Sequence, residues 1–280
     1  MRKYIVFRTL SGRAVIGVIM LLSLILLILL VLPGSRQKIK EYPESRVKDG
    51  VTFMGEDVGG LSEEEVTALV REYYVQIEKE PVDAVIDPVT GGVIPELYGY
   101  ELDIYSTTKK IIGAFRGETV LPVVDKIIPE KTMKDFPEAP LHQGNPEKKQ
   151  VSFLVNVAWG DEYIHNLLDV MEENNVRSTF FFVGKWVEKT PELVLEIISR
   201  GHEAANHGYR DTVIMSELTL EEIKADITKT NYLLRDITNR EVKYFSSHCG
   251  EINEDVLRIT AELNMRTVMW SLDTVDWMLP

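Results

Sequence analysis

Residues capable of hydrolytic chemistry concentrate in two short segments, Glu203–Asp211 and Trp270–Trp277. The first reads E-A-A-N-H-G-Y-R-D, which places the imidazole of His207 four residues before the carboxylate of Asp211. Imidazole nitrogen and carboxylate oxygen both bind zinc, so the pair is a weak candidate for a divalent metal site. Two ligands alone hold a metal loosely. The alternative, that His207 is a structural histidine, stays open.

Elements must position these residues, and from Val151 onward the sequence alternates strand-like and helix-like segments. Strands are predicted at Val151–Val155, Ser178–Val183, Glu203–Ala205, Lys243–Phe245 and Thr267–Trp270, and helices at His165–Asn174, Thr190–Arg200, Thr219–Asp236 and Asn253–Asn264. Five such β units predict a parallel, barrel-like α/β domain. Active groups of such barrels lie at the carboxyl ends of strands. The polar residues that follow the predicted strands are Asn156, His207, Ser246 and Asp273.

The two segments, together with T-F-F-F-V-G at Thr179–Gly184, resemble the polysaccharide deacetylases, the NodB-homology domain of carbohydrate esterase family 4. The resemblance implies a distorted (β/α) barrel with more strands than the five found above. It also implies metal-dependent hydrolysis of N-acetyl groups on peptidoglycan or a related cell-wall glycan. That reaction needs a metal to polarise the amide, a carboxylate to take a proton from water, and donors for the oxyanion.

The segment that corresponds to the family's T-F-D-D-G motif has lost its carboxylates. It reads L-V-N-V-A-W-G-D-E, and the alignment puts Asn156 at the base position and Val157 at the metal-ligand position. An amide accepts no proton at neutral pH and valine binds no metal, so Asn156 is a degenerate catalytic position. Asp161 lies nearby, and its simpler role is to cap the following helix.

The next two motifs of the family are only partly kept. The resemblance keeps His207 of the H-[ST]-x-x-H motif and puts Asp211 in place of the second metal histidine. Ser246 takes the place of the third motif's arginine. The His248-Cys249 pair beside it is interpreted as a degenerated loop rather than as a nucleophile and its base, because adjacent residues rarely face each other.

The fourth motif matches well at D-T-V-D-W, residues 273–277. The resemblance implies that Asp276 tunes a catalytic histidine and that Trp277 lines the pocket for the acetyl group. The family carries that histidine in a fifth motif further along, and the chain ends at Pro280. The sequence therefore predicts a partial, C-terminally truncated NodB-like barrel over residues 150–280.

The N-terminal segment predicts a membrane anchor. Residues 14–33 are almost wholly aliphatic and long enough to cross a bilayer core of ~30 Å as a helix. The basic tail at residues 1–13 favours an N-terminus inside and C-terminal domains outside the cytoplasm. A signal peptide is the alternative, but no small-x-small cleavage site follows the apolar stretch. We expect a single-pass protein of the cell membrane, with a linker at residues 34–49.

A small α+β domain is predicted at residues 50–130. It contains G-E-D-V-G-G-L-S-E-E-E, where Ser62 and Glu65 form a capping box, and D-P-V-T-G-G-V-I-P. These stretches resemble the peptidoglycan-binding domain found beside VanW-type proteins, which implies a cell-wall partner. A spacer that sets reach above the membrane is the alternative. Three prolines then predict an interdomain linker at residues 131–149.

The charge distribution excludes one class of partner. The chain holds 31 Lys and Arg against 44 Asp and Glu, a net charge of −13. Residues 1–48 hold nine basic and two acidic residues, or +7, which leaves 22 basic and 42 acidic residues, or −20, for the remainder. Nucleic acid needs a basic surface, so it is excluded as a partner, whereas a neutral glycan is compatible. The lone Cys249 excludes an internal disulfide.

Three hypotheses for function follow. The first is a membrane-anchored deacetylase of cell-wall glycan, opposed by Asn156, Val157 and Ser246. The second is a non-catalytic peptidoglycan-binding or scaffolding protein with a degenerate deacetylase domain, a pseudoenzyme. The third is a truncated, non-functional product whose open barrel exposes sheet edges. The sequence favours a deacetylase-like protein whose catalysis is impaired.

Overall fold

The computed structural model of the protein describes residues 45–275 and 278. The predicted membrane helix at residues 14–33 lies outside these residues, as do the predicted site residues Asp276 and Trp277. Within the described part, no helix is both long and apolar enough to cross a membrane.

Within the described residues, the first of two compact units contains residues 45–70 and Tyr105–Leu121. The elements that lie wholly or mainly in it are β1 (Thr52–Phe53), β2 (Glu56–Asp57), α1 (Glu63–Glu72), α3 (Ile104–Gly113) and β6 (Thr119–Val120). Strand β1 pairs antiparallel with β2 and parallel with β6. The predicted capping box at the start of α1 is confirmed, because the Ser62 N–H donates to Glu65 Oε2 at 2.8 Å and the Glu65 N–H donates to Ser62 Oγ at 3.2 Å.

The second compact unit contains Arg71–Ile104 and, within the described residues, 122–275. Its upstream elements are α2 (Tyr74–Ile77), β3 (Val85–Ile86), β4 (Val93–Ile94), β5 (Gly99–Leu102) and β7 (Val124–Ile127). Strands β3 and β4 form a hairpin whose turn lies at residues 88–90, just before the predicted turn residues Gly91-Gly92, and β5 pairs antiparallel with β7. The two units divide the predicted 50–130 domain between them, and the boundaries of that domain stay a prediction.

The rest of the second unit is a parallel α/β fold. Its strands are β8 (Leu154–Val157), β9 (Thr179–Phe182), β10 (Glu203–Asn206), β11 (Tyr244–Phe245) and β12 (Arg266–Thr267). Its helices are α4 (Ile164–Glu173), α5 (Gly184–Lys189), α6 (Pro191–Ser199), α7 (Leu220–Thr238) and α8 (Glu254–Glu262). The strands run parallel in sequential order, as in a (β/α) barrel, which confirms the predicted five-stranded α/β fold.

Three details of this fold differ from prediction. Strand β8 begins three residues later than predicted, because Leu154 is the first residue that pairs with β9. Helix α5 was not predicted, since its six residues are too few to show a clear helical period. Helix α4 begins after Tyr163 and has no side-chain cap, so the predicted capping role of Asp161 is wrong.

The two faces of the parallel sheet bury different clusters, because successive side chains along a strand point to opposite faces. The helix-facing cluster includes Val157, Phe180, Phe182, Trp186 and Leu234. The opposite, inner face carries a smaller cluster of Phe181, Ala205 and Val268, against which Leu141, Leu154 and Tyr244 pack. Asn156 shares its strand face with Leu154, so its amide lies on the inner face, where it is exposed.

The outer edge of β12 is covered by an upstream segment, Met133–Leu141, which we call the clasp. Leu141 pairs in parallel with Val268, and its N–H donates to the Thr267 carbonyl at 2.9 Å. The Arg266 guanidinium donates to clasp carbonyls, to Met133 and Ala139 at 2.6 Å each, to Pro137 at 3.2 Å, and to Phe136. Part of the predicted 131–149 linker is therefore hydrogen-bonded to the sheet.

Candidate functional site

The strand register fixes which residues meet at the carboxyl edge of the sheet. One row across the five strands is Val157, Phe182, Asn206, Phe245 and Thr267. The next residues along β10 and β11 are His207 and Ser246, whose backbone N–H groups donate to Phe182 and Asn206 carbonyls at 2.9 Å each. His207 and Ser246 therefore follow their strands, as predicted, and lie side by side.

Asn156 does not lie in the same row as His207. It is inside β8, two strands from β10 and two residues below the His207 row. At ~4.8 Å per strand and ~3.3 Å per residue, the Cα atoms of Asn156 and His207 are about 12 Å apart. The β8 residue level with His207 is Ala158. The role of Asn156 as the degenerate base position stays a prediction, and the register also draws attention to position 158.

His207 is held as a neutral imidazole with one nitrogen committed. The ring is 3% exposed, and its Nδ1 lies 2.8 Å from the Ser246 carbonyl oxygen, which can only accept a hydrogen bond. Burial lowers the pKa of His207 to about 4, although the Ser246 carbonyl and the Asp211 charge oppose the shift. At neutral pH Nδ1 therefore carries the proton and Nε2 carries the lone pair. Metal-binding histidines adopt this same arrangement.

The loop after β10 is fixed by two buried polar side chains that sequence reasoning missed. Asn206 accepts from the Gly208 N–H at 2.6 Å and donates to the Ile227 carbonyl and to Asn231 Oδ1, both at 2.8 Å. Asp226 accepts from the Tyr209 N–H at 2.6 Å. These hydrogen bonds hold the backbone at residues 208 and 209, directly after His207. The sequence signal that could have revealed this arrangement is Asp226, an acidic residue among the apolar positions of α7.

Burial raises the pKa of Asp226, while the Tyr209 N–H and the cationic side chain of Arg210 oppose the rise. Arg210 Nε lies 3.9 Å from the Asp226 carboxylate, too far for a strong charge-assisted hydrogen bond. The backbone N–H of Tyr209 is therefore the closest donor that stabilises this buried carboxylate.

His248 contacts His207 rather than Cys249. The two imidazole rings meet edge to face with centroids 5.5 Å apart, and His248 Nδ1 is buried without a hydrogen-bond partner among the described residues. Cys249 is exposed, with a backbone φ of +57°. The structure records no Cys249–His248 pairing, and the interpretation of this stretch as a degenerated loop stays a prediction.

The end of β8 offers no carboxylate to this site. Val157 is 4% exposed and packs in the helix-facing cluster, and Ala158 packs against the same cluster. The nearest acidic residues, Asp161 and Glu162, lie on the following loop, where Glu162 Oε2 accepts from the Asp161 N–H at 2.9 Å. Val157, which the resemblance aligns with a metal ligand of the family, is therefore a core residue in this fold.

The donor set does not fit the family's metal centre. Among residues 45–275 and 278, no group of three His, Cys, Asp or Glu side chains could hold a metal ion. His207 presents Nε2, and Asp211 is close enough for its charge to act on the pKa of His207. The assignment of His207 and Asp211 as metal ligands stays a prediction, and we derive no catalytic step through a metal.

A profile of the polysaccharide deacetylase family matches residues 143–268. These residues are similar to a polysaccharide deacetylase domain. The chain is 35% identical over 207 residues to the uncharacterised Bacillus subtilis protein YlxY, which covers 73% of this chain and 64% of that protein. It is 34% identical over 116 residues to a Bacillus cereus peptidoglycan-N-acetylglucosamine deacetylase, which covers 41% of this chain and 42% of that enzyme. The chain thus spans less than two thirds of either relative.

Solved structures give the same fold and add a functional contrast. A pseudoenzyme of carbohydrate esterase family 4 from Bacillus anthracis superimposes with a TM-score of 0.65 at 29% identity, covering 76% of this chain and 75% of that one. A mutant of that pseudoenzyme, described as having restored enzymatic activity, gives a TM-score of 0.65 at 28% identity, covering 76% and 78%. The predicted NodB-like fold is therefore confirmed, and similarity to this family extends to a member named as a pseudoenzyme.

Proposed function

We propose that this chain is a membrane-anchored, cell-wall-facing protein whose deacetylase domain binds peptidoglycan or a related N-acetylated glycan without deacetylating it. The observation that carries the proposal is the end of β8. Asn156 is an exposed amide and Val157 a buried aliphatic residue, and the family resemblance aligns these two positions with the base and a metal ligand.

The chemistry of the remaining groups supports an impaired site. A general base works best when its pKa lies near the operating pH. The pKa of His207 is about 4, so at neutral pH it is a weak proton acceptor, and the Asn156 amide accepts no proton. Among the described residues, no group of three His, Cys, Asp or Glu side chains could hold a metal ion that would activate a water molecule for attack on an acetyl group.

The glycan partner is proposed from the relatives. Relatives named as peptidoglycan-N-acetylglucosamine and peptidoglycan-N-acetylmuramic acid deacetylases match 116 and 135 residues of this chain. The acidic balance after residue 48 is compatible with a neutral glycan and argues against nucleic acid. We further propose that residues 14–33 anchor the chain in the cell membrane, and that residues 50–130, through their VanW-associated resemblance, contribute to wall binding.

Two assays on the purified full chain test this proposal. Acetate release from peptidoglycan and from chitooligosaccharides, with zinc or cobalt added, should not exceed that of buffer. Metal-dependent release that disappears in His207→Ala would establish an active deacetylase instead. In the second assay the chain should pellet with purified peptidoglycan. Pelleting no greater than that of an unrelated acidic protein would remove the binding role.

A further inference from the structure

The loop that leaves β8, residues 158–163, carries an exposed aromatic side chain at the carboxyl edge of the sheet. Trp159 is 66% exposed and directly follows Ala158, the residue level with the His207 row. Tyr163, at the other end of the loop, is also exposed. Most exposed aromatic residues need no explanation. Trp159 differs from the other exposed aromatic residues in two respects. It lies at the carboxyl edge of the sheet, and hydrogen bonds hold the loop that carries it.

The 158–163 loop is held in one conformation. The buried Trp186 donates its indole N–H to the Gly160 carbonyl at 2.8 Å. Gly160 has a φ of +70°, which a residue with a Cβ adopts only under strain. The Asp161 N–H donates to Glu162 Oε2, which shortens the turn further. A side chain presented from a fixed backbone loses little conformational freedom on binding, so its contacts contribute more fully to affinity.

The chemistry of this surface selects a class of ligand. An indole is a large, flat, apolar surface with an electron-rich face, and it binds well to a ligand that offers a row of polarised C–H bonds. One face of a pyranose ring offers such a row. The carboxylates of Asp161 and Glu162 accept hydrogen bonds from hydroxyl groups and repel an anionic ligand. The surface therefore fits a neutral sugar better than a phosphate-bearing or acidic polymer.

We infer that Trp159 stacks on a pyranose ring of a neutral N-acetylated glycan, in a binding site at the carboxyl edge of the sheet that uses no metal ion. This inference rests on the proposed function, since it says how the deacetylase domain holds its glycan. The indole supplies contact area for the sugar that does not depend on a metal ion.

Titration of the purified full chain with chitohexaose in the presence of EDTA tests the inference. Trp159→Ala should weaken binding about tenfold, the loss expected for one well-placed aromatic contact. Trp159→Phe should recover most of the affinity, because the smaller ring still stacks. The matched control is Tyr232→Ala on α7, where an aromatic side chain of 59% exposure is removed and binding should not change. All three variants change surface residues, so their melting temperatures should stay near that of the wild type.

The outcomes separate this inference from the proposed function. If Trp159→Ala binds chitohexaose and pellets with peptidoglycan as well as the wild type does, the stacking role is wrong and the binding role stands. If EDTA abolishes binding by the wild type, the metal-free site is wrong. If the wild type binds neither chitohexaose nor peptidoglycan, the proposed function fails and this inference fails with it.

Discussion

The ends of β8 and β10 lie two strands apart at the same edge of one sheet, and different interactions hold them in place. At β10, His207 is oriented by the Ser246 carbonyl and the loop behind it is held by buried Asn206 and Asp226. At β8, Val157 and Ala158 pack into an aliphatic core. The difference shows that buried hydrogen bonds hold the end of β10, whereas apolar packing holds the end of β8.

The most demanding test of this comparison introduces a carboxylate at the end of β8. Val157→Asp should lower the free energy of unfolding by about 4 kcal/mol, because an unpaired charge would be buried among apolar side chains. Asn156→Asp, one residue earlier on the exposed inner face, should change it by less than about 0.5 kcal/mol. Denaturant unfolding measures both. If Val157→Asp were as stable as the wild type, or were rescued by zinc, position 157 would have access to the site.

Lowering the pH should reduce the free energy of unfolding, because His207 takes up a proton more readily in the unfolded chain. Its pKa is lowered to about 4 in the folded chain from an ordinary value of 6.5, so only the unfolded chain takes up a proton between those values. Stability is therefore highest above pH 6.5 and should fall by about 3 kcal/mol as pH drops toward 4. Denaturant unfolding of the wild type and of His207→Gln across this range isolates the contribution.

Two other buried groups have pKa values that burial shifts. Burial lowers the pKa of His202, which acts in the same direction as His207, and raises the pKa of Asp226, whose contribution is lost as pH rises through its folded value. Asp226→Asn serves as the control for the opposing effect. A pH profile of His207→Gln identical to that of the wild type would contradict the assignment to His207.

The smallest expected effect concerns the amide beneath His207. Asn206→Ala removes the acceptor for the Gly208 N–H and the donor to Ile227, and it should cost about 2 kcal/mol in a chemical unfolding experiment. Asn174→Ala, which removes one exposed amide bond to the Val170 carbonyl, should cost less than about 0.5 kcal/mol. Equal losses for the two variants would mean that the Asn206 network does not stabilise the loop.

Much of the parallel fold was predictable because its signals are local. Alternating strands and amphipathic helices appear in the sequence from residue 151 onward, and the helix predicted to begin at Thr219 has that residue as its N-cap in the structure. His207 and Ser246 were found because a residue that follows a predicted strand lies at the carboxyl edge. These inferences needed only spacing of a few residues along the chain.

What was missed depends on contacts between distant residues. Asn206 and Asp226 are 20 positions apart in sequence, and nothing local shows that they hold one loop. The position of Asn156 relative to His207 depends on strand register, which a sequence motif does not fix. The clasp was interpreted as a linker because prolines favour extended chain, and the Arg266 contact more than 125 residues away was invisible.

The clasp also determines how the chain can be divided for expression. A fragment that begins at residue 150, the predicted boundary of the deacetylase domain, would lack Leu141 and leave the edge of β12 bare. It would also lack the clasp carbonyl groups that accept hydrogen bonds from the Arg266 guanidinium. Exposed edges of this kind pair with other chains. A fragment that begins before Met133 retains its own edge strand and is the better starting point for soluble material.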